Sequence, residues 1–239
     1  MTEVLLQLTT RPAPYPAEVH DRLELEAKQI IDCYPQPRSA LLPLLHLVQS
    51  VEGYVSGTGI GFCAGQLGLT DAEVTAVATF YSMYRRTPTG NFHVGVCTNT
   101  LCAVMGGDEI FADLQAHLGI RHGETTSDGA VTLEHIECNA ACDYAPVVMV
   151  NWEFFDNQTP ESARALVDAL RDGEQVTAAR SGAPLCTFRE TARILAGFPD
   201  YRPGANDGEP GEATLAGLRV AREAATAEQS APGDSGGAR

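Results

Sequence analysis

The sequence has few positive charges and no long apolar run. The first deficit argues against binding to nucleic acid or anionic lipid, and the second argues against insertion into a membrane. It contains 16 Lys and Arg residues against 31 Asp and Glu residues, a formal net charge of −15 at pH 7. A chain this acidic offers no basic patch for nucleic-acid phosphates and no basic helix for anionic lipid. No apolar run approaches the ~20 residues that a membrane-spanning helix requires. We therefore expect no nucleic-acid partner and no direct membrane insertion.

The first residues, Met1 to Leu6, lack the basic segment and the long apolar segment of a secretory signal peptide. This absence predicts a cytoplasmic, thiol-reducing location. In such a compartment paired cysteines are more often metal ligands or redox groups than disulfides.

A dinucleotide-binding fingerprint is also lacking. The glycine-rich stretch Gly57–Gly61 precedes a predicted helix, but no βαβ unit surrounds it. We interpret it as a plain turn and place any nucleotide site on a partner.

Four of the seven cysteines stand in two tight pairs, each beside an apolar run that is typical of a β-strand. Cys97 and Cys102 have the spacing C-x4-C, and Cys138 and Cys142 have the spacing C-x3-C. Four thiolates from two loops can hold a [2Fe–2S] cluster, two on each iron. The residues therefore indicate electron transfer as the leading hypothesis.

Three alternatives to the cluster remain open at the level of the residues. Structural zinc also takes four thiolates, although the C-x4-C spacing is a little wide for it. Disulfides suit small secreted domains, which this chain does not resemble. A Rieske centre needs two histidine ligands, and His135 is the only histidine near either pair.

Periodicity along the chain predicts an α+β protein in two parts followed by an extension. Residues 1–88 are predicted to form a small helical bundle, because apolar residues recur in them at helical spacing. A capping box is predicted at Thr70–Glu73. Residues 89–173 are predicted to form a strand, a helix, two strands, a short fourth strand and a helix, with Gly106-Gly107 marking a break or a close backbone approach. Residues 174–239 are predicted to be largely irregular or disordered, with one isolated helix near 213–227, because the pattern fades after Gly173 and residues 203–239 have few large apolar side chains.

The chain resembles the E-subunit family of bacterial NADH-quinone oxidoreductase, which provides the thioredoxin-like [2Fe–2S] subunit of respiratory complex I. The resemblance covers about residues 15–172. It rests on both cysteine pairs and on four further motifs, namely Leu41–Gln49, Glu52–Val55, Val77–Tyr81 and Glu137–Pro146. It implies a thioredoxin-like α/β [2Fe–2S] ferredoxin domain after the helical bundle, with Cys97, Cys102, Cys138 and Cys142 as the four ligands.

The resemblance also implies the setting in which such a protein works. It would exchange single electrons with FMN in a flavin- and NADH-binding partner subunit, and it would contact the large iron–sulfur subunit of the same complex. The complex would be a proton-translocating oxidoreductase whose peripheral arm faces the cytoplasm. No catalytic residue and no activity are expected of the isolated chain.

Two alternatives accompany this interpretation. The homologous diaphorase-type subunit of an NAD-linked hydrogenase or formate dehydrogenase shares these motifs. A zinc-stabilised assembly scaffold would be a protein of a different class. Cys33, Cys63 and Cys186 have no partner at ligand spacing, so we interpret each as a small buried or half-buried apolar side chain.

Overall fold

The fold consists of a helical layer and a small mixed β-sheet with its own helices. The computed structural model describes residues 13–205 and 207–230. The expectations for residues 1–12 and for the disordered end at 231–239 lie outside these residues. Within them, no helix is long and apolar enough to cross a membrane.

The helical layer forms where the sequence repeats apolar residues at helical spacing. α1 exposes a polar face and buries Leu23, Ala27 and Ile30. The next helix is apolar almost all round and lies at the centre of the layer, as expected for a helix that is buried on most sides. The bounds are α1 Ala17–Ile31, a 3₁₀ turn Pro37–Ala40, α2 Leu41–Glu52, α3 Gly57–Leu67 and α4 Asp71–Phe80.

The predicted capping box begins α4. The Glu73 backbone N–H donates to the Thr70 hydroxyl at 3.3 Å, and the Thr70 backbone N–H donates to the Glu73 carboxylate at 3.0 Å. These bonds satisfy donors that a helix N-terminus otherwise leaves free.

The sheet has the strand order β2-β1-β3-β4. β1 and β2 are parallel, whereas β3 is antiparallel to both β1 and β4. The bounds are β1 Phe92–Cys97, α5 Thr100–Val104, α6 Gly107–Leu118, β2 Val131–Ile136, β3 Val148–Val150, β4 Glu153–Phe155 and α7 Pro160–Arg171. α6 and α7 bury Ile110, Leu114 and Leu166 against the strands, which makes one core for the domain.

The helix expected over residues 101–118 is interrupted at Gly106-Gly107, where the sequence predicted a break, so two helices form. Gly106 adopts a left-handed conformation with φ +109° that a side chain would strain, and it separates α5 from α6.

The segment after residue 173 contains a packed helix that the sequence did not predict. α8, Phe188–Leu195, packs along α2 in the helical layer. The Arg189 guanidinium donates to the carbonyl oxygens of Val51 and Glu52 at 3.0 and 3.1 Å, so it satisfies free acceptors at the C-terminus of α2. This segment carries too few large apolar residues to form a core of its own, and it packs against the core of the helical layer instead. Beyond it, α9 covers Glu212–Ser230.

A buried polar network joins the helical layer to the sheet. Glu134 of β2 accepts hydrogen bonds from Arg85, which follows α4, and from His93 of β1 at 2.8 Å. Burial works to raise the pKa of Glu134, but these two hydrogen bonds outweigh it and leave that pKa at about 2. Burial lowers the pKa of His93, so the pair at neutral pH is a carboxylate held by a permanent guanidinium and a neutral imidazole.

Phe188 should stabilise the packing of the C-terminal segment. Its side chain is 1% exposed, and its ring lies 6.2 Å from the His93 ring. We expect Phe188→Ala to lower the free energy of unfolding by about 3–5 kcal/mol, because a large cavity opens between the layers. Chemical denaturation monitored by circular dichroism measures this change.

Leu195 provides the matched control on the same helix, since it is 38% exposed. Leu195→Ala should change the free energy of unfolding by about 0.5 kcal/mol or less. Equal effects of the two substitutions would contradict the packing described for α8.

Candidate iron–sulfur site

Parallel pairing of β1 and β2 carries the two cysteine pairs to one edge of the sheet. Cys97 is the last residue of β1 and lies in register with Ile136, the last residue of β2. The two strands run in the same direction, so the loops that follow them leave the sheet side by side. Cys102 is in the loop and short helix after β1, and Cys138 and Cys142 are in the loop after β2.

The first pair lies inside the protein. Cys97 and Cys102 are each 3% exposed and pack with Ala141, Val147 and Met149. The Cys97 backbone N–H donates to the Val147 carbonyl at 3.1 Å, which extends the sheet to the end of β1. The sulfurs of this pair are therefore screened from water on the sheet side.

The second pair lies at the surface. Cys138 and Cys142 are exposed, and their sulfurs are 3.9 Å apart. Ala140 holds a left-handed conformation with φ +54°, and its backbone N–H donates to the Cys138 sulfur at 3.4 Å. The chain thus turns tightly around the Cys138 sulfur and points a donor at it.

Asn99 and Gly107 fix the two loops, and the sequence singled out only the second of them. The Asn99 side-chain amide donates to the Ile136 carbonyl at 3.0 Å, which ties the first loop to the end of β2. The Gly107 backbone lies against the carbonyl oxygens of Cys97 and Cys102, where an added Cβ would lie 2.9 Å from the Cys102 oxygen. Asn99 has no signal in the sequence beyond its place between two cysteines.

The surroundings of two of the four thiols, Cys102 and Cys142, favour their protonated forms. Burial, together with interactions with Cys97 and Cys142, raises the pKa of Cys102 to about 11, against a hydrogen bond from the Val147 backbone that lowers it. The Cys138 thiol raises the pKa of Cys142 through a hydrogen bond and through charge. Metal ligation needs thiolates, so loading this site must release protons and compensate the gathered negative charge.

The sulfur geometry fits two metal ions better than one. A separation of 3.9 Å within the second pair suits two thiolates on one tetrahedral ion, for which metal–sulfur bonds of about 2.3 Å imply about 3.8 Å between sulfurs. Among the described residues, the set of three metal-binding side chains with donor atoms all within 4.8 Å is His20, Asp21 and Glu24, not three of these cysteines. The second pair thus has the separation of two ligands on one ion, and the spread of the four sulfurs disfavours a single zinc held by all of them.

The remaining candidate groups lie apart from this arrangement. His135 is in β2, and its ring stacks on His122 with 4.1 Å between centroids, which disfavours a Rieske-type site. Cys63 is buried, and burial raises its pKa to about 12. Cys186 is half-buried and lies 3.3 Å from the Thr191 hydroxyl.

Cys33 corrects the expectation of a buried thiol. It is exposed just after α1, and its thiol donates to the Gln29 carbonyl at 3.3 Å. The Gly57–Gly61 stretch is not the plain turn expected from the sequence but the first part of α3, where the Ser56 hydroxyl accepts from the Gly59 N–H at 3.0 Å. An added Cβ at Gly59 would lie 3.0 Å from Val48, so this glycine serves helix packing.

Residues 27–171 match the family model described as thioredoxin-like [2Fe-2S] ferredoxin. The chain is 68% identical over 212 residues to the E subunit of NADH-quinone oxidoreductase from Mycobacterium tuberculosis, covering 89% of this chain and 84% of that protein. It is 40% identical over 149 residues to the E subunit of NADH-quinone oxidoreductase from Rickettsia bellii, covering 61% of this chain and 89% of that protein.

A solved structure shares the fold. The crystal structure of an NAD⁺-reducing [NiFe]-hydrogenase superposes with a TM-score of 0.50 at 20% sequence identity, covering 56% of this chain and 23% of that chain. At this identity the likeness concerns the fold alone.

Gly107 should tolerate no side chain. We expect Gly107→Ala to lower the free energy of unfolding by about 1–3 kcal/mol, because its Cβ would overlap the backbone of both cysteines of the first pair. Chemical denaturation measures the loss. Gly65→Ala is the control, since an added Cβ there meets nothing within 4 Å and alanine favours a helix over glycine. A Gly107→Ala protein as stable as wild type would contradict the close approach.

Proposed function

Because this chain belongs to the E-subunit family of NADH-quinone oxidoreductase and carries its thioredoxin-like [2Fe–2S] ferredoxin domain, we propose that Cys97, Cys102, Cys138 and Cys142 hold its cluster. The observation that supports this ligand set is the parallel register of β1 and β2. It places Cys97 beside Ile136 at the ends of the two strands and brings both cysteine loops together. When bound, a [2Fe–2S] cluster takes up and returns one electron at a time.

The chain gives the two pairs different tasks. Cys97 and Cys102 would anchor the cluster on the buried side, where Val147 and Met149 exclude water. Cys138 and Cys142 would hold the side that faces the surface.

Backbone donors and nearby carboxylates act on the sulfurs in opposite directions. The Ala140 N–H aimed at Cys138 stabilises negative charge on that sulfur. Glu137 and Asp143, which flank the second pair in sequence, add negative charge and disfavour reduction. The balance between them sets how readily this site accepts an electron.

The electron donor in this proposal is FMN on the flavin- and NADH-binding subunit, and the large iron–sulfur subunit is the second partner. Two exposed apolar groups are candidate contact surfaces. Phe80 is 79% exposed at the end of α4, and Val104 and Met105 are 82% and 53% exposed beside the first cysteine pair. Apolar side chains this exposed favour coverage by a partner. The assembled complex would place this chain on the cytoplasmic face of the membrane.

The similarity to the E subunits favours this host over an NAD-linked hydrogenase or formate dehydrogenase. The 68% identity extends over most of the chain, whereas the hydrogenase likeness is one of fold. The zinc scaffold is disfavoured by the family and by the spread of the four sulfurs.

Serine substitutions test the ligand set. Replacing any one of Cys97, Cys102, Cys138 or Cys142 by Ser should abolish or severely perturb the visible absorption of the anaerobically purified protein, because thiolate is the required donor. Iron and acid-labile sulfide should fall from about two of each per chain in the wild type.

Cys33→Ser and Cys63→Ser are the controls, one at an exposed and one at a buried thiol. Both variants should keep the wild-type spectrum. Loss of the spectrum in Cys63→Ser alone would refute the choice of ligands, and a colourless wild-type protein with one zinc would refute the cluster.

NADH should not be oxidised by the isolated chain. Hydride transfer moves two electrons, and a one-electron centre needs a flavin between itself and NADH. Adding NADH to the cluster-loaded chain should leave its visible spectrum unchanged and reduce no artificial acceptor. Adding the flavin-binding partner should start turnover. Turnover without any flavoprotein would overturn the role of an accessory electron carrier.

A further inference from the structure

Tyr144 lies two residues after Cys142, and the chain beyond residue 171 reaches back to hold it. The Arg180 guanidinium lies 5.2 Å from the centroid of the Tyr144 ring and 4.2 Å from that of Phe154. Two hydrogen bonds to Asp156, at 3.0 and 2.9 Å, fix the plane of this guanidinium. Arg180 therefore connects the turn at Cys142 to β4 and the residue after it.

A second contact on Tyr144 comes from residues 208–213, which we call the strap. The Ala213 backbone N–H donates to the Tyr144 hydroxyl at 3.2 Å. The Gly211 backbone lies against the same hydroxyl, so closely that an added Cβ would overlap it. Gly208 lies against the Arg180 carbonyl oxygen in the same way, so the strap and Arg180 form one contact surface.

The cysteine turn buries Ala141 and Ala145 but leaves its two ligand candidates at the surface. Cys138, Asn139, Cys142 and Asp143 are all exposed. Its hydrogen bonds include those of a short 3₁₀ turn, in which the Tyr144 N–H donates to the Ala141 carbonyl at 3.1 Å and the Ala145 N–H donates to the Cys142 carbonyl at 3.3 Å. The Asn157 N–H also donates to the Tyr144 carbonyl at 2.8 Å. Tyr144 is the half-buried side chain of this turn that contacts both Arg180 and the strap.

The contrast with the first pair is physical. Cys97 and Cys102 are held in place by the end of β1 and by the buried side chains around them. The exposed turn that carries Cys138 and Cys142 has less of this support, and a stacked guanidinium with a bidentate carboxylate supplies fixed geometry there.

We propose that Arg180 and the strap clamp Tyr144 and thereby hold Cys142 in its ligating position. Both are positioning groups, and the inference rests on the proposed ligand role of Cys142. The C-terminal extension, outside the residues that match the family model, then serves retention of the cluster.

The test uses the full-length, cluster-loaded chain. Arg180→Ala should release iron to an excess of chelator about tenfold faster than wild type, the lower end of the effect of removing an outer support of a metal ligand. The electron paramagnetic resonance spectrum of the reduced protein should show shifted g values, because the Cys142 sulfur is no longer fixed.

Arg171→Ala is the matched control. Arg171 also donates its Nε and Nη2 hydrogens to an aspartate, Asp128, but no ring of the cysteine turn lies under it. It should release iron at the wild-type rate with unchanged g values.

A pair of glycines in the extension gives a second test that does not depend on Arg180. Gly211→Ala places a methyl group on the Tyr144 hydroxyl, whereas Gly217→Ala places one in open space on α9. Faster iron release in Gly211→Ala alone supports the clamp, and it decides the question if Arg180→Ala does not fold.

Several results would overturn the clamp. They are wild-type release from Arg180→Ala, equally fast release from Arg171→Ala, equal rates for the two glycine variants, or faster release with a lowered melting temperature and unchanged g values. A wild-type chain that holds no iron refutes the ligand proposal instead, so the two failures are distinguishable.

Discussion

The parallel pairing of β1 with β2 is the constraint on which the site depends. Two neighbouring parallel strands end at the same edge of a sheet, so the loops after Cys97 and after Ile136 begin side by side. Antiparallel pairing of the same six-residue strands would separate the two loop starts by about 20 Å, the length of such a strand. Gly95 permits the close pairing, because a Cβ there would lie 2.8 Å from the Ile136 side chain.

From this edge the two cysteine pairs enter different environments. The first pair turns into a buried pocket closed by Val147 and by the glycine at the start of α6. The second pair stays in an exposed turn. One half of the site is therefore held within the core, and the turn that carries the other half adds the polar and aromatic contacts of Tyr144.

The C-terminal segment unites the two layers that precede it. α8 covers α2, Arg189 satisfies the end of that helix, and the Asn151 side chain donates to the Cys186 carbonyl at 2.9 Å next to the sheet. Together with the network of Arg85, Glu134 and His93, these contacts fix the sheet against the helices. An exposed apolar edge such as that at Phe80 then keeps a defined position relative to the cysteine loops.

Local sequence determined the elements and the ligand candidates. Capping residues at Thr70 and Thr159, the glycine break at Gly106 and the two cysteine spacings are encoded within a few residues, and the structure places each where local rules require. The membership of the family follows from the same motifs, since they are short and specific.

Tertiary structure decided which side chains meet across long separations. Asn99 reaches Ile136, Arg180 reaches Tyr144, and Phe188 fills the space beside His93, yet none of these residues has a distinguishing neighbour in sequence. Residues 188–195 pack on α2, a contact that their own sequence does not predict. Periodicity reports what a segment can bury by itself, whereas contacts between distant segments depend on the sheet register and layer packing that only the folded chain defines.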